Sequence, residues 1–158
     1  MKKINLFKFK LKVKIIAVEY PGYGVYTTHK SSSQLIKEDA IAVYDYLVKK
    51  VGYEEKNIVV LGRSIGSGPA SYIASIRQPG ALIMMSSFCS LKSVVKDHVG
   101  SLHNILKERF DNLETIKKVT CPSFFIHGLQ DKLISFQHSQ KLHGKFILYL
   151  LCIDLIYD

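Results

Sequence analysis

The sequence predicts an α/β domain on a mostly parallel sheet with helices on both faces, and three observations carry that prediction. Short apolar runs rich in β-branched residues recur at residues 13–18 (VKIIAV), 57–61 (NIVVL), 81–85 (ALIMM) and 123–127 (SFFIH). Between them lie stretches whose apolar residues repeat at helical spacing. The runs are continuously apolar rather than alternating, the pattern of strands covered on both faces in a parallel sheet.

Taken in order, residues 13–18 read as a strand ending in the turn-rich Tyr20-Pro21-Gly22-Tyr23-Gly24. Ser31, Ser32 and Ser33 offer hydroxyls to cap a helix. Its apolar residues Ile36, Ala40, Val43, Tyr44, Leu47 and Val51 share one face, and Gly52 ends it. The NIVVL strand follows, then a helix over about residues 65–76 closed by Pro79-Gly80, then the ALIMM strand. Residues 91–110 read as helical in pieces. Cys121-Pro122 introduces the SFFIH strand, and residues 136–142 form a short helix. At the front, Lys8, Lys10, Lys12 and Lys14 alternate with Phe9, Leu11, Val13 and Ile15, a period of two that predicts an edge strand with lysines outward. The apolar residues 146–158 (FILYLLCIDLIYD) reach only ~20 Å as a helix, short of a ~30 Å hydrocarbon core. They are expected to form a buried strand or a sticky tail.

A chain of 158 residues is expected to be one domain, spanning 1–158. Its 47% apolar and 22% charged content excludes wholesale disorder. Twenty-two Lys and Arg against thirteen Asp and Glu leave a net charge of +9, concentrated in part at Lys2, Lys3, Lys8, Lys10, Lys12 and Lys14. An anionic membrane surface suits that charge, whereas no nucleic-acid motif accompanies it, so nucleic acid is not an expected partner. The three cysteines, Cys89, Cys121 and Cys152, are an odd number with no C-x-x-C pair, which argues against a disulfide framework or a four-cysteine zinc site. Lysines break every apolar run after Met1, so a secretory leader is not expected. A cytoplasmic or membrane-peripheral setting follows.

The segment that carries chemistry is Gly62-Arg63-Ser64-Ile65-Gly66, directly after the NIVVL strand and opening a helix. A sharp strand-to-helix turn pushes a serine out at the carboxyl edge of the sheet, and glycines flank it where a Cβ would clash. The N–H of Ile65 then points where a carbonyl oxygen becomes an oxyanion, helped by the partial positive charge of the helix N-terminus. Composition alone would produce roughly 0.06 such G-x-S-x-G matches in a chain like this. The competing reading is a glycine-rich turn with a structural serine. Dinucleotide and phosphate-loop readings fail: Gly66-Ser67-Gly68-Pro69-Ala70-Ser71 lacks the last glycine of the former, and no lysine follows for the latter.

With these residues in view, the chain resembles the α/β-hydrolases, close to the small serine hydrolases that include protein depalmitoylases. The matching pieces are residues 17–24 (AVEYPGYG), 57–70 (NIVVLGRSIGSGPA) and 116–134 (IKKVTCPSFFIHGLQDKLI). The resemblance implies a partial α/β-hydrolase fold, with Ser64 as nucleophile and Ile65 N–H as oxyanion donor between Gly62 and Gly66. It places the acid of a triad at Asp131, just after the strand that ends in His-Gly, with the task of orienting a histidine. The plainer reading of Asp131 is a cap on the turn that follows. The substrate implied is an ester or thioester, small or carried on a protein, and no metal or cofactor is implied.

Two family features are missing. The triad histidine should follow the acid after one further strand, yet His138 and His143 fall on or at the end of the short helix, and no histidine comes later. Only twelve residues precede the VKIIAV strand, so the loop that gives the family its second oxyanion donor is absent. The chain is therefore expected to be shortened at both ends, either a serine hydrolase or an inactive fragment or pseudoenzyme. In the insert between the third and fourth strands, Phe88, Val94, Val95, Leu102, Ile105, Leu106 and Phe110 either line an acyl pocket or pack the core. Cys89, near the sheet's carboxyl edge, is either a reactive thiol or core packing.

Overall fold

The computed structural model describes residues 12–27, 30–99, 109–144 and 150–153. They divide into two compact units at Ser31 and Ser32. The first unit contains a tight turn in which Tyr23 N–H donates to the Tyr20 carbonyl (3.0 Å) and Gly22 N–H to that of Tyr26 (2.7 Å). Gly22 and Gly24 take positive φ values of 84° and 51°, which is why glycine stands at both positions.

Residues 13–18 depart from expectation. No ladder forms there among the described residues, and the segment is exposed, Ile16 to 52%. Strand propensity expresses fit against a paired, half-buried surface. Among the described residues the β-branched run meets no partner strand, so it does not become one. The predicted edge strand falls partly at residues 8–11, outside the described residues.

The second unit begins with helix α1 (Ser33–Lys49), capped by Ser32, whose Oγ accepts the Leu35 N–H. Ile36, Ala40 and Tyr44 are its buried face, as the spacing predicts, and Gly52 follows its end at φ 84°. Next come strand β1 (Val59–Arg63), a helical turn at Ser64–Gly66, and helix α2 (Ser67–Ile76). Strand β2 (Ala81–Met85), helix α3 (Leu91–Val99), the single turn α4 (Asn112–Thr115), strand β3 (Ser123–Gly128), helix α5 (Phe136–His143) and strand β4 (Leu150–Ile153) complete it. The apolar end thus contains a strand at residues 150–153; the remainder of 146–158 lies outside the described residues, as do Leu102, Ile105 and Leu106.

All four strands are parallel, in the order β1-β2-β3-β4. The main core lies on one face, where Ala70, Ala74, Leu82, Met84, Ile116, Phe125 and Leu142 pack together. That placement follows from topology. Right-handed crossovers that always step to the next strand in the same direction put every connection on the same side. The opposite face carries Val59 and Leu61, exposed to 56% and 51%. Covering it takes a reversal of strand order, which the described residues do not contain.

Helices α1 and α2 are tied by Arg77, which grips Asp45 with two bonds of 2.7 and 2.9 Å while Lys49 donates to the same carboxylate. These cations hold the Asp45 carboxyl well below the usual carboxylate range.

Candidate active site

Ser64 lies where β1 gives way to helix, with a backbone φ of 51°. A left-handed serine costs about 1–2 kcal/mol that an ordinary turn would avoid. The turn is backed by Gly62: a Cβ there would run into the Gly66 carbonyl and the Ala70 side chain. Gly66 itself has ordinary helical φ, −65°. Its contribution is the carbonyl against which Gly62 packs. Gly62→Ala is expected to cost about 2–3 kcal/mol, because the obstacle is backbone and cannot swing aside; the urea midpoint measures it. Ile65 is the second residue of the helical stretch starting at Ser64, so its N–H has no carbonyl one turn back to bind. It is available to a developing oxyanion.

Asp131 follows β3, in the turn after Gly128, and its carboxylate takes the capping role. Oδ1 accepts the N–H groups of Leu133 and Ile134, each at 2.9 Å, which is the capping role. Oδ2 lies 3.7 Å from His127 Nε2, beyond hydrogen-bond reach. One oxygen fixes the carboxylate and leaves the other for a partner. Ser64 and Asp131 share the carboxyl edge of the sheet with β2 between them, about 10 Å apart by strand spacing. They do not touch.

The described histidines are engaged elsewhere. His127 is buried, its Nε2 2.8 Å from the Ile134 carbonyl and its Nδ1 2.6 Å from Ser139 Oγ. A carbonyl only accepts, so Nε2 carries the proton; in the neutral ring Nδ1 accepts from Ser139, whose oxygen accepts from Ser87 at 3.1 Å. This chain braces the acid loop from below. His98 Nε2 meets the Leu133 carbonyl at 2.8 Å, and His143 lies edge-on to Phe125.

His138 accepts the Cys89 N–H at Nδ1 (3.2 Å), so Nε2 is the protonated nitrogen, donating to Asp97 at 2.8 Å. Burial lowers its pKa from the ordinary 6.5, with Lys141 and His127 acting the same way and Asp97 opposing them. The unfolded chain therefore takes up this proton first as the medium is acidified. Stability from His138 is complete above about pH 6.5 and is lost as pH falls from there toward the lower folded-state value. Urea midpoints between pH 8 and 5 should fall more steeply for the native protein than for His138→Gln; equal slopes would remove the assignment.

Sequence reasoning missed Asn112, which is completely buried. Its Nδ2 donates to the Phe88 carbonyl (2.9 Å) and Ser67 Oγ (3.1 Å), and its Oδ1 accepts from Ser71 (2.8 Å). It therefore joins α2 to the loop after β2. Nothing in its sequence setting, after the capping Asp111, distinguishes it from a surface asparagine. Phe88 and Phe110 are buried, which is the packing reading. Phe110 sits on Gly68, where a Cβ would strike its ring. Cys89 is buried and its thiol pKa is pushed up by burial, the opposite of an activated thiol.

No protein-family profile matches the chain. It is 29% identical over 137 residues to the α/β hydrolase domain-containing protein aho-3 of Caenorhabditis elegans, covering 87% of this chain and 40% of that protein. It is 29% identical over 136 residues to the mouse α/β hydrolase domain-containing protein 17C, covering 86% and 42%. Among solved structures, an esterase of Pyrococcus furiosus superposes with TM-score 0.75 at 17% identity, over 98% of this chain and 64% of that one.

The chain has an α/β-hydrolase fold.

An α/β hydrolase of Vibrio vulnificus gives TM-score 0.64 at 17% identity, over 78% and 50% of the two chains. The chain spans about two-fifths of the length of those two curated relatives. Among its described residues, no helix is long and apolar enough to cross a membrane.

Proposed function

We propose that this domain belongs to a serine hydrolase acting on esters or thioesters, acyl-proteins among them, with Ser64 as nucleophile. The observation that carries the reading is the left-handed backbone of Ser64 at the strand-to-helix turn, a strain that a merely structural serine has no reason to bear. Ser64 Oγ attacks the acyl carbonyl carbon and its proton passes to a histidine oriented by the Asp131 carboxylate. The carbonyl oxygen, now negative, takes the Ile65 N–H. The histidine returns the proton to the departing alcohol or thiol, and water then releases the acyl group from Ser64. The +9 charge favours substrates presented at an anionic surface, in a cytoplasmic or membrane-peripheral setting.

The test is covalent labelling of the purified protein by a fluorophosphonate, with peptide mapping. The expected result is one phosphonylated site, Ser64, lost in Ser64→Ala. Labelling that persists in that variant overturns the assignment.

A non-catalytic reading has one observation in its favour. His98, His127, His138 and His143 are all engaged away from Ser64. Without a base the hydroxyl stays protonated and is a poor nucleophile. Folded protein that takes no label selects this second reading.

A further inference from the structure

We propose that Ser86 is a further catalytic residue of this site, donating a hydrogen bond to the leaving-group heteroatom of the scissile ester. The inference rests on the reading of Ser64 as nucleophile. Ser86 follows the last residue of β2 and has φ 44°, a second serine in the left-handed region. The register pairs Arg63 with Met85, so Ser64 and Ser86 are the next residues on neighbouring strands, about 5 Å apart by strand spacing. Two strained non-glycine residues side by side at the carboxyl edge are hard to explain by folding alone.

The Ser86 backbone is pinned, its N–H donating to the Ile126 carbonyl at 2.8 Å. Its hydroxyl is not. Two other serines of the same loop are satisfied, Ser87 with Ser139 and Ser90 with Ser93. Ser86 Oγ has no hydrogen-bond partner among the described residues, and the residue is only half-buried. A strained backbone thus holds an unused donor beside the nucleophile.

Strand order says which part of the substrate it meets. Ser64 follows β1, Ser86 follows β2 and Asp131 follows β3. A base that links Ser64 to Asp131 stands over the end of β2, and it returns its proton to the leaving group from there. The leaving group therefore faces Ser86. As the tetrahedral intermediate collapses, the bond from carbonyl carbon to leaving atom breaks and the base delivers the proton first taken from Ser64. Ser86 keeps its own proton and stabilises the charge that develops on the departing atom.

The test compares two esters of one acyl chain in the purified full-length protein, an alkyl ester and a p-nitrophenyl ester whose leaving group departs without protonation. Ser86→Ala is expected to lower kcat/KM about tenfold on the alkyl ester and less than twofold on the activated one. Ser86→Asn keeps a donor and tolerates the left-handed region, so it should recover part of the loss. Ser86→Gly should raise Tm while repeating the alanine pattern, which separates strain from the hydroxyl. Equal losses on both esters, or no loss, overturn the role of Ser86. Turnover that survives Ser64→Ala, or native protein inactive on both esters, overturns the reading of Ser64 and this inference with it.

Discussion

Ser64→Gly is expected to remove ester turnover by a factor on the order of 10⁴–10⁶ while leaving the domain more stable than Ser64→Ala. The loss follows from removing the nucleophile, the group on which every later step depends. The stability difference follows from the φ of 51° at this position. Alanine keeps the left-handed penalty of about 1–2 kcal/mol, and glycine abolishes it. Glycine's extra freedom in the unfolded chain returns about 0.5–1 kcal/mol of that gain. The net expectation is that the glycine variant exceeds the alanine variant by about 0.5–1 kcal/mol in urea unfolding, with both inactive. Two variants of equal stability would mean that the serine bears no strain, and the main support for its functional role would go.

Asn112→Ala should lower stability by about 3–5 kcal/mol. The substitution deletes three buried side-chain hydrogen bonds and strands the Phe88 carbonyl without a donor. Each lost bond contributes about 1 kcal/mol, and a buried unsatisfied carbonyl adds about 1–3. Ser71 softens the loss, since its hydroxyl has the Gly68 carbonyl as a second acceptor at 3.0 Å. The urea midpoint should fall with an unchanged m value. A change below 1 kcal/mol would show that water or repacking replaces the side chain. Because Asn112 joins α2 to the loop carrying Ser86, a folded variant is also the place to look for a loosened site.

Much of this was legible in the sequence, for identifiable reasons. The span of β2 agrees with its apolar run to the residue, and α5 runs one residue past its predicted end. The strand reading of β1 falls two residues early, because Gly62 and Arg63 lack strand propensity and are held by pairing with Met84 and Met85. At Asp131 the two readings from sequence were compatible, since a carboxylate has two oxygens. Residues 13–18 misled for the opposite reason. Their β-branched composition describes a surface ready for pairing, and composition cannot supply the neighbour.

By itself the sequence determined the alternation of strands and helices, a serine cap among Ser31, Ser32 and Ser33, and the strand-to-helix turn at Ser64. These rest on local chemistry: apolar period, a hydroxyl beside free N–H groups, and glycine beside a tight turn. Only the tertiary structure decided which face of the sheet is covered, that His127 and His138 brace loops away from Ser64, and that Ser86 stands beside Ser64. Those outcomes depend on strand order, register and loop packing, which bring together residues from seven to forty-nine positions apart. A hydrogen bond or a handed crossover between such residues leaves no periodicity in the chain to read.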